Sequence, residues 1–160
     1  KEFIMTIRKA TKSDAKFIIK MIRDLAEYEE ALDQVMNTEE ELIRDGFCEN
    51  PLFQSLILAD QNTPVGFALY FYKYSTWKGK TLYLEDLYVI PEARGSGLGI
   101  AAMKHLAKIA IEEKCRRFEW QVLDWNGPSI KFYESVHSEL DGSWINCRLE
   151  NEKISYLAAL

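Results

Sequence analysis

The stretch Leu84-Glu85-Asp86-Leu87-Tyr88-Val89-Ile90-Pro91-Glu92-Ala93-Arg94-Gly95-Ser96-Gly97-Leu98-Gly99 decides the fold. Residues 81–90 read as a strand that Pro91 stops. Glycines follow at 95, 97 and 99, and then Met103, Leu106, Ala107, Ala110 and Ile111 recur at helical spacing. Glycine permits positive φ and close backbone approach, and a helix N-terminus leaves its first N–H groups unspent, so such a segment offers amides to an anion. A Walker loop needs Lys-Ser/Thr after its last glycine, where this chain has Ile100-Ala101. A dinucleotide fingerprint counted from Gly95 needs a glycine where Ile100 stands. It also needs a strand more apolar than one carrying Glu85 and Asp86. The pattern that fits is R-x-x-G-x-G, on Arg94, Gly97 and Gly99.

Before this segment, residues 3–8 alternate as a short strand. Thr11 with Asp14 caps a helix whose apolar face is Ala15, Ile18, Ile19, Ile22, Leu25 and Ala26. Thr38–Glu41 is a capping box opening a shorter helix, with Gly46 as its stop. Residues 53–59 and 65–74 read as strands joined by turn chemistry at 60–64, and 76–80 is a second turn. After the glycine loop come a strand at 117–123, a helix opened by Asn126-Gly-Pro-Ser129, and a final hairpin of 143–149 with 153–157. The order β-α-α-β-β-β-α-β-α-β-β predicts one mixed α/β domain over residues 1–160. Its sheet is mostly antiparallel, with flanking helices. Met5-Thr-Ile-Arg reads like a natural start, so residues 1–4 read equally as native chain or as an extension.

The chain has 160 residues, 48% apolar and 28% charged, as expected of a soluble globular domain. Neither a membrane span nor a secretory leader is expected. Cys48, Cys115 and Cys147 are few, odd in number and widely spaced, which fits a reducing, cytoplasmic setting rather than a disulfide framework. The net charge of −5 argues against a nucleic-acid binder. It is unevenly spread. Residues 24–49 hold ten acids and one base, Arg44, for −9, and the rest of the chain is +4. A local negative field concentrates cations, but on this feature alone a solvated acidic helix pair is the favoured reading. His105 and His137 lack partners at ligand spacing, so no metal is expected.

The residues from 84 to 99 resemble those of the GNAT N-acetyltransferase superfamily, and Arg94, Gly97 and Gly99 match its R-x-x-G-x-G/A loop. Asp24-Leu-Ala-Glu-Tyr-Glu29, Asp45-Gly-Phe, Tyr74-Ser-Thr-Trp-Lys-Gly79, Tyr83-Leu-Glu-Asp-Leu-Tyr-Val89 and Val122-Leu-Asp-Trp-Asn126 through Phe132-Tyr133 are similar to its spermidine/spermine and thialysine Nε-acetyltransferase branch. These segments span roughly residues 3–133, and the match thins beyond Tyr133. The resemblance implies the acyl-CoA N-acyltransferase fold and acetyl transfer from acetyl-CoA to a primary amine, without a metal. It places the CoA pyrophosphate on the loop Arg94, Gly95, Ser96, Gly97, Leu98 and Gly99. The pantetheine arm is placed beside Leu87, Tyr88 and Val89, with a further CoA contact at Asn126.

A primary amine is mostly protonated at pH 7, so the reaction needs a proton acceptor. Strand alternation is expected to send Glu85 and Asp86 to opposite faces, which rules out a shared-proton dyad. On the residues alone, two solvated carboxylates are an equal reading. The resemblance implies that Glu85 takes the proton through water and that Asp86 binds a substrate ammonium. It also implies that Tyr133 protonates the departing thiolate, that Tyr28 and Glu29 are the substrate-binding pair, and that Trp77 is an aromatic anchor. A carboxylate beside an aromatic face suits an alkylammonium. No Cys-His pair supports a covalent acetyl-enzyme, so direct transfer in a ternary complex is expected, in a homodimer. The alternatives are a protein or peptide acetyltransferase and a non-catalytic acyl-CoA sensor.

Overall fold

The computed structural model describes residues 2–160. Of residues 1–4, which read equally as native chain or as an extension, Lys1 lies outside the described residues. The chain divides after Gln121 into two compact units.

The first unit holds β1 (Met5–Lys9), α1 (Ala15–Tyr28), α2 (Glu39–Gly46), β2 (Gln54–Asp60), β3 (Thr63–Ser75), β4 (Gly79–Val89), α3 (Leu98–Glu112) and β5 (Arg117–Trp120). The sheet order is β1-β2-β3-β4-β5. Every pair is antiparallel except β4–β5, which is parallel and connected through α3. This is the mixed, mostly antiparallel architecture expected from the sequence.

The apolar faces read from the sequence are buried or partly buried in most of their positions. Met21 joins the buried side of α1 from outside the face read there, and Ile111, read into the face of α3, is 75% exposed. Ile18 and Met21 of α1 and Leu42 of α2 pack on Ile57, Phe67 and Leu69 on one face of the sheet. Leu58, the neighbour of Ile57, points the other way and joins Val65, Leu98 and Ala102 under α3. The entry to α1 is tied to β1 by Arg8, whose two terminal nitrogens donate to the two oxygens of Asp14 at 2.7 and 2.8 Å. That fork holds the buried Asp14 carboxyl down at about 2. The Thr38 capping box forms as read: the Glu41 N–H donates to Thr38 Oγ1, and the Thr38 N–H donates to Glu41 Oε2.

Gly46 ends α2, but for packing rather than for its dihedral. A Cβ there would stand 2.1 Å from the Phe53 ring, which is edge-on to Phe47. Gly46→Ala is therefore expected to destabilise the protein by about 1–3 kcal/mol, read as a lower midpoint in urea with an unchanged slope.

The second unit, taken by itself, holds α4 (Gly127–Ser135) and α5 (Glu152–Ala158). Here the sequence expectation fails: there is no final hairpin. Residues 143–149 form no strand, and 153–157 lie within α5. The alternation of Trp144 and Ile145 has nothing in this unit to bury against, for they are 74% and 87% exposed. Ile154, Leu157 and Ala158 also stand at i, i+3 and i+4, which is a helical spacing.

Candidate functional site

The site is built on the C-terminal half of β4 and the loop that follows it. β4 opposes Asp86 to Leu69 and Leu84 to Tyr70, so Glu85 is an extra residue in a β-bulge. Leu69 and Tyr70 are neighbours and face opposite sides. Asp86 and Leu84 therefore face opposite sides too, although they are two residues apart. The bulge interrupts the strict alternation at Glu85, which is exposed while Asp86 is largely buried. Asp86 lies on the α1 side with Leu69, where it feels the charges of both Glu85 and Glu29.

The electrostatics follow from this crowding. Burial, and after it repulsion from Glu85 and Glu29, pushes the Asp86 carboxyl up to about 7. Burial also raises Glu29, at the C-cap of α1. Asp86, largely buried, thus carries the repulsion of both Glu85 and Glu29, and a cation placed beside it would relieve that repulsion.

Beside this spot the sheet opens. β4 pairs with β5 only as far as Leu84 opposite Trp120, so the stretch from Glu85 to Val89 continues without that neighbour. The glycine loop then turns into α3. Gly95 and Gly97 have φ of +75° and +87°, and Gly97 is a left-handed N-cap. No side chain caps α3, so the first N–H groups of a 15-residue helix are left for water or an anion. The Ser96 hydroxyl is spent on the Ala93 carbonyl at 2.5 Å, which leaves anion binding here to the backbone. The uncapped amides and positive-φ glycines fit the pyrophosphate of a CoA thioester.

The Arg94 side chain lies on the α1 side. Its Nε donates to the Val89 carbonyl at 2.9 Å, and its guanidinium carbon is 5.6 Å from the ring centroids of both Tyr28 and Tyr88. It thereby joins the loop to the end of α1 along an open groove of about 520 Å³. Lys20, Asp24, Glu27 and Glu92 also line this groove, and none of them was picked out as a site residue from the sequence. The signal was present in part: residues 20, 24, 27 and 28 share one helical face by their spacing.

Tyr28, Glu29, Glu85, Asp86, Tyr88 and the Arg94–Gly99 loop are thus brought to one end of the sheet. Trp77 is not. It sits in the β3–β4 turn and is 79% exposed, and the six residue steps from Gly79 to Glu85 cover about 20 Å of strand. Asn126 and Tyr133 lie on the second unit. Asn126 is buried as the N-cap of α4, accepting from the Ser129 N–H at 3.3 Å. Tyr133 stands in the last turns of α4, its ring 5.3 Å from that of Phe132.

Residues 19–137 match the family model described as acetyltransferase (GNAT) family. Over 164 aligned residues the chain is 42% identical to a thialysine N-epsilon-acetyltransferase of Sus scrofa, covering 95% of this chain and 96% of that one. It is 43% identical over 136 residues to the spermidine/spermine N(1)-acetyltransferase-like protein 1 of Homo sapiens, covering 81% of this chain and 20% of the longer relative. Among solved structures, an integron cassette protein from the mobile metagenome of V. cholerae superposes with a TM-score of 0.79 at 27% identity. The match covers 96% of this chain and 97% of that one. With the family model matching residues 19–137 and relatives above 40% identity along most of its length, the chain belongs to the acetyltransferase (GNAT) family.

Proposed function

We propose that the protein transfers an acetyl group from acetyl-CoA to the primary amine of a small cationic acceptor, a diamine or a thialysine-like amino acid, by direct attack within a ternary complex. One observation carries this reading most: a single strand–loop–helix segment presents a cation site at Glu85 and Asp86 and an anion site at the uncapped start of α3. The relatives' names, thialysine and spermidine/spermine acetyltransferase, support an amine acceptor.

In this reading Asp86 and Glu29 hold the incoming ammonium. Glu85 takes its first proton through a water, the freed nitrogen pair forms the bond to the acetyl carbonyl carbon, the C–S bond breaks, and the nitrogen releases its second proton to solvent. Tyr133 gives its proton to the sulfur and recovers one from solvent. The loop amides hold the donor's pyrophosphate, and the strand from Leu87 to Val89 flanks its thioester arm. Arg94 contributes through its side chain on the acceptor side. A homodimer belongs to this reading, supported by Trp144, Ile145 and Leu160, apolar side chains left 74–87% exposed on the second unit. A reducing compartment also belongs to it, supported by three free cysteines.

The pH–rate profile tests the proton path. Glu85→Gln is expected to lower kcat at pH 7 by about 10²-fold and to move the rising limb of the profile upward, toward the range where the amine deprotonates unaided. An unchanged rate and limb would take Glu85 off that path.

A further inference from the structure

The sheet face that carries Asp86 continues past the β-bulge toward the other end of β4. What stands there bears on which amines the protein accepts, an inference that rests on the function proposed above. Leu84 faces away with Tyr70, so Tyr83 returns to the side of Asp86, three residues and at most about 10 Å along the strand. Tyr83 has a neighbour on each side. Phe71 opposes it on β3, with ring centroids 5.2 Å apart, and Glu119 opposes it on β5. Burial, and after it the charges of Glu85, Glu119 and Asp86, raises the Tyr83 hydroxyl, so this ring stands in the field of the acceptor carboxylates.

A half-buried aromatic face beside a carboxylate suits an alkylammonium, and here the chain fills that place itself. Lys73, from β3, holds its Nζ 5.0 Å from the centroid of the Tyr83 ring and donates to Glu119 Oε1. The match is incomplete. Glu119 Oε2 is buried without a hydrogen-bond partner among the described residues, and Arg117 Nη1 stands 3.5 Å away. The carboxylate therefore keeps an unmet demand for N–H donors, of which an ammonium carries three.

Chain length decides which acceptors reach this place. The terminal nitrogens of spermidine are nine bonds apart, as many as in three residues of extended backbone, or about 10 Å. With one end at Asp86, an extended spermidine lying along β4 brings its other end to Tyr83, where Lys73 already stands. Putrescine, with five bonds between its nitrogens, and thialysine, with six, stop short of it. A second ammonium arriving there meets a like charge on an occupied ring and carboxylate. We propose that Lys73 is a built-in occupant of a cation site formed by Tyr83 and Glu119, and that it sets acceptor length by turning away longer polyamines.

Lys73→Met keeps the stem and removes the charge. The readout is kcat/KM for spermidine divided by kcat/KM for putrescine at pH 8, in which effects common to both amines, such as donor binding, cancel. Thiol release with thialysine is the control for activity. The wild-type ratio is expected to lie below about one, Lys73→Met to raise it by about tenfold or more, and Lys73→Arg to leave it low. Adding Glu119→Gln to Lys73→Met is expected to remove most of the gain, because the carboxylate that receives the ammonium is gone. A wild-type ratio above one, or no rise in spermidine use in Lys73→Met while thialysine is still acetylated, overturns the proposal and leaves amine acetylation standing. A gain undiminished by Glu119→Gln overturns the cation site. Absence of thiol release with all three amines in the wild type would remove the proposed function, and this inference with it.

Discussion

Asp86→Asn is expected to stabilise the amine-free protein at pH 8 and to cut kcat/KM for the amine by about 10²-fold or more. Burial, with Glu85 and Glu29 nearby, lifts the Asp86 carboxyl to about 7 in the folded protein, against 3.8 for the unperturbed group. Between those values the folded chain holds a proton that the unfolded chain has released. Stability is therefore fully present below pH 4, falls as pH rises toward 7 and levels off above it. The ceiling on this loss is about 4 kcal/mol, and solvent reaching a half-buried group lowers it. Asparagine keeps the shape and discards the charge, so urea midpoints measured at pH 5 and pH 8 are expected to converge in the variant and to differ in the wild type. The same ionisation governs binding. Wild-type KM for an ammonium acceptor is expected to fall as pH rises through 7, and the variant is expected to lose that dependence along with its affinity. A variant that keeps the wild-type pH slope in both measurements would remove Asp86 from this role.

Gly97→Val is expected to weaken CoA binding by at least about tenfold while leaving the rest of the fold in place. The nearest atom to a Cβ at this position is Met5 Cε at 3.8 Å, so there is space for a side chain. The obstacle is the backbone, since φ is +87°. A non-glycine residue pays roughly 1–2 kcal/mol in the left-handed region, and a β-branched one pays more. The loop either keeps its shape at that cost or relaxes to negative φ and re-aims the amides that start α3. Titration calorimetry with CoA reads the loss directly, and Gly97→Ala is expected to fall between valine and wild type. A dissociation constant for Gly97→Val within twofold of the wild type would detach the glycine loop from donor binding.

Much of this was legible in the sequence because it is local. The Thr38 box, the helical face of Ile18 and Leu25 and the loop glycines each state their geometry within a few residues, and the structure has them in place. The bulge was not legible. It is a property of register between β3 and β4, and Glu85 looks like any other strand residue until Leu69 and Tyr70 are known to face Asp86 and Leu84. The groove was hidden for a similar reason, because Glu92 and Lys20 meet across 72 residues of chain. Trp77 carried a sequence signal strong enough to draw it into the site, yet hairpin length decides its position, and a long β4 carries it away. The misread C-terminal hairpin shows that five residues such as Lys153–Leu157 alternate and repeat helically at once, so burial has to arbitrate.

The most direct measurement is acetyl-CoA-dependent thiol release against a panel of spermidine, spermine, putrescine, lysine and thialysine, with each acetylated product weighed by mass spectrometry. The expected result is stoichiometric CoA release with at least one of these amines and a mass increase of one acetyl group on that amine. CoA binding without thiol release on any of them would contradict the assignment of Glu85, Asp86 and the glycine loop to amine acetylation.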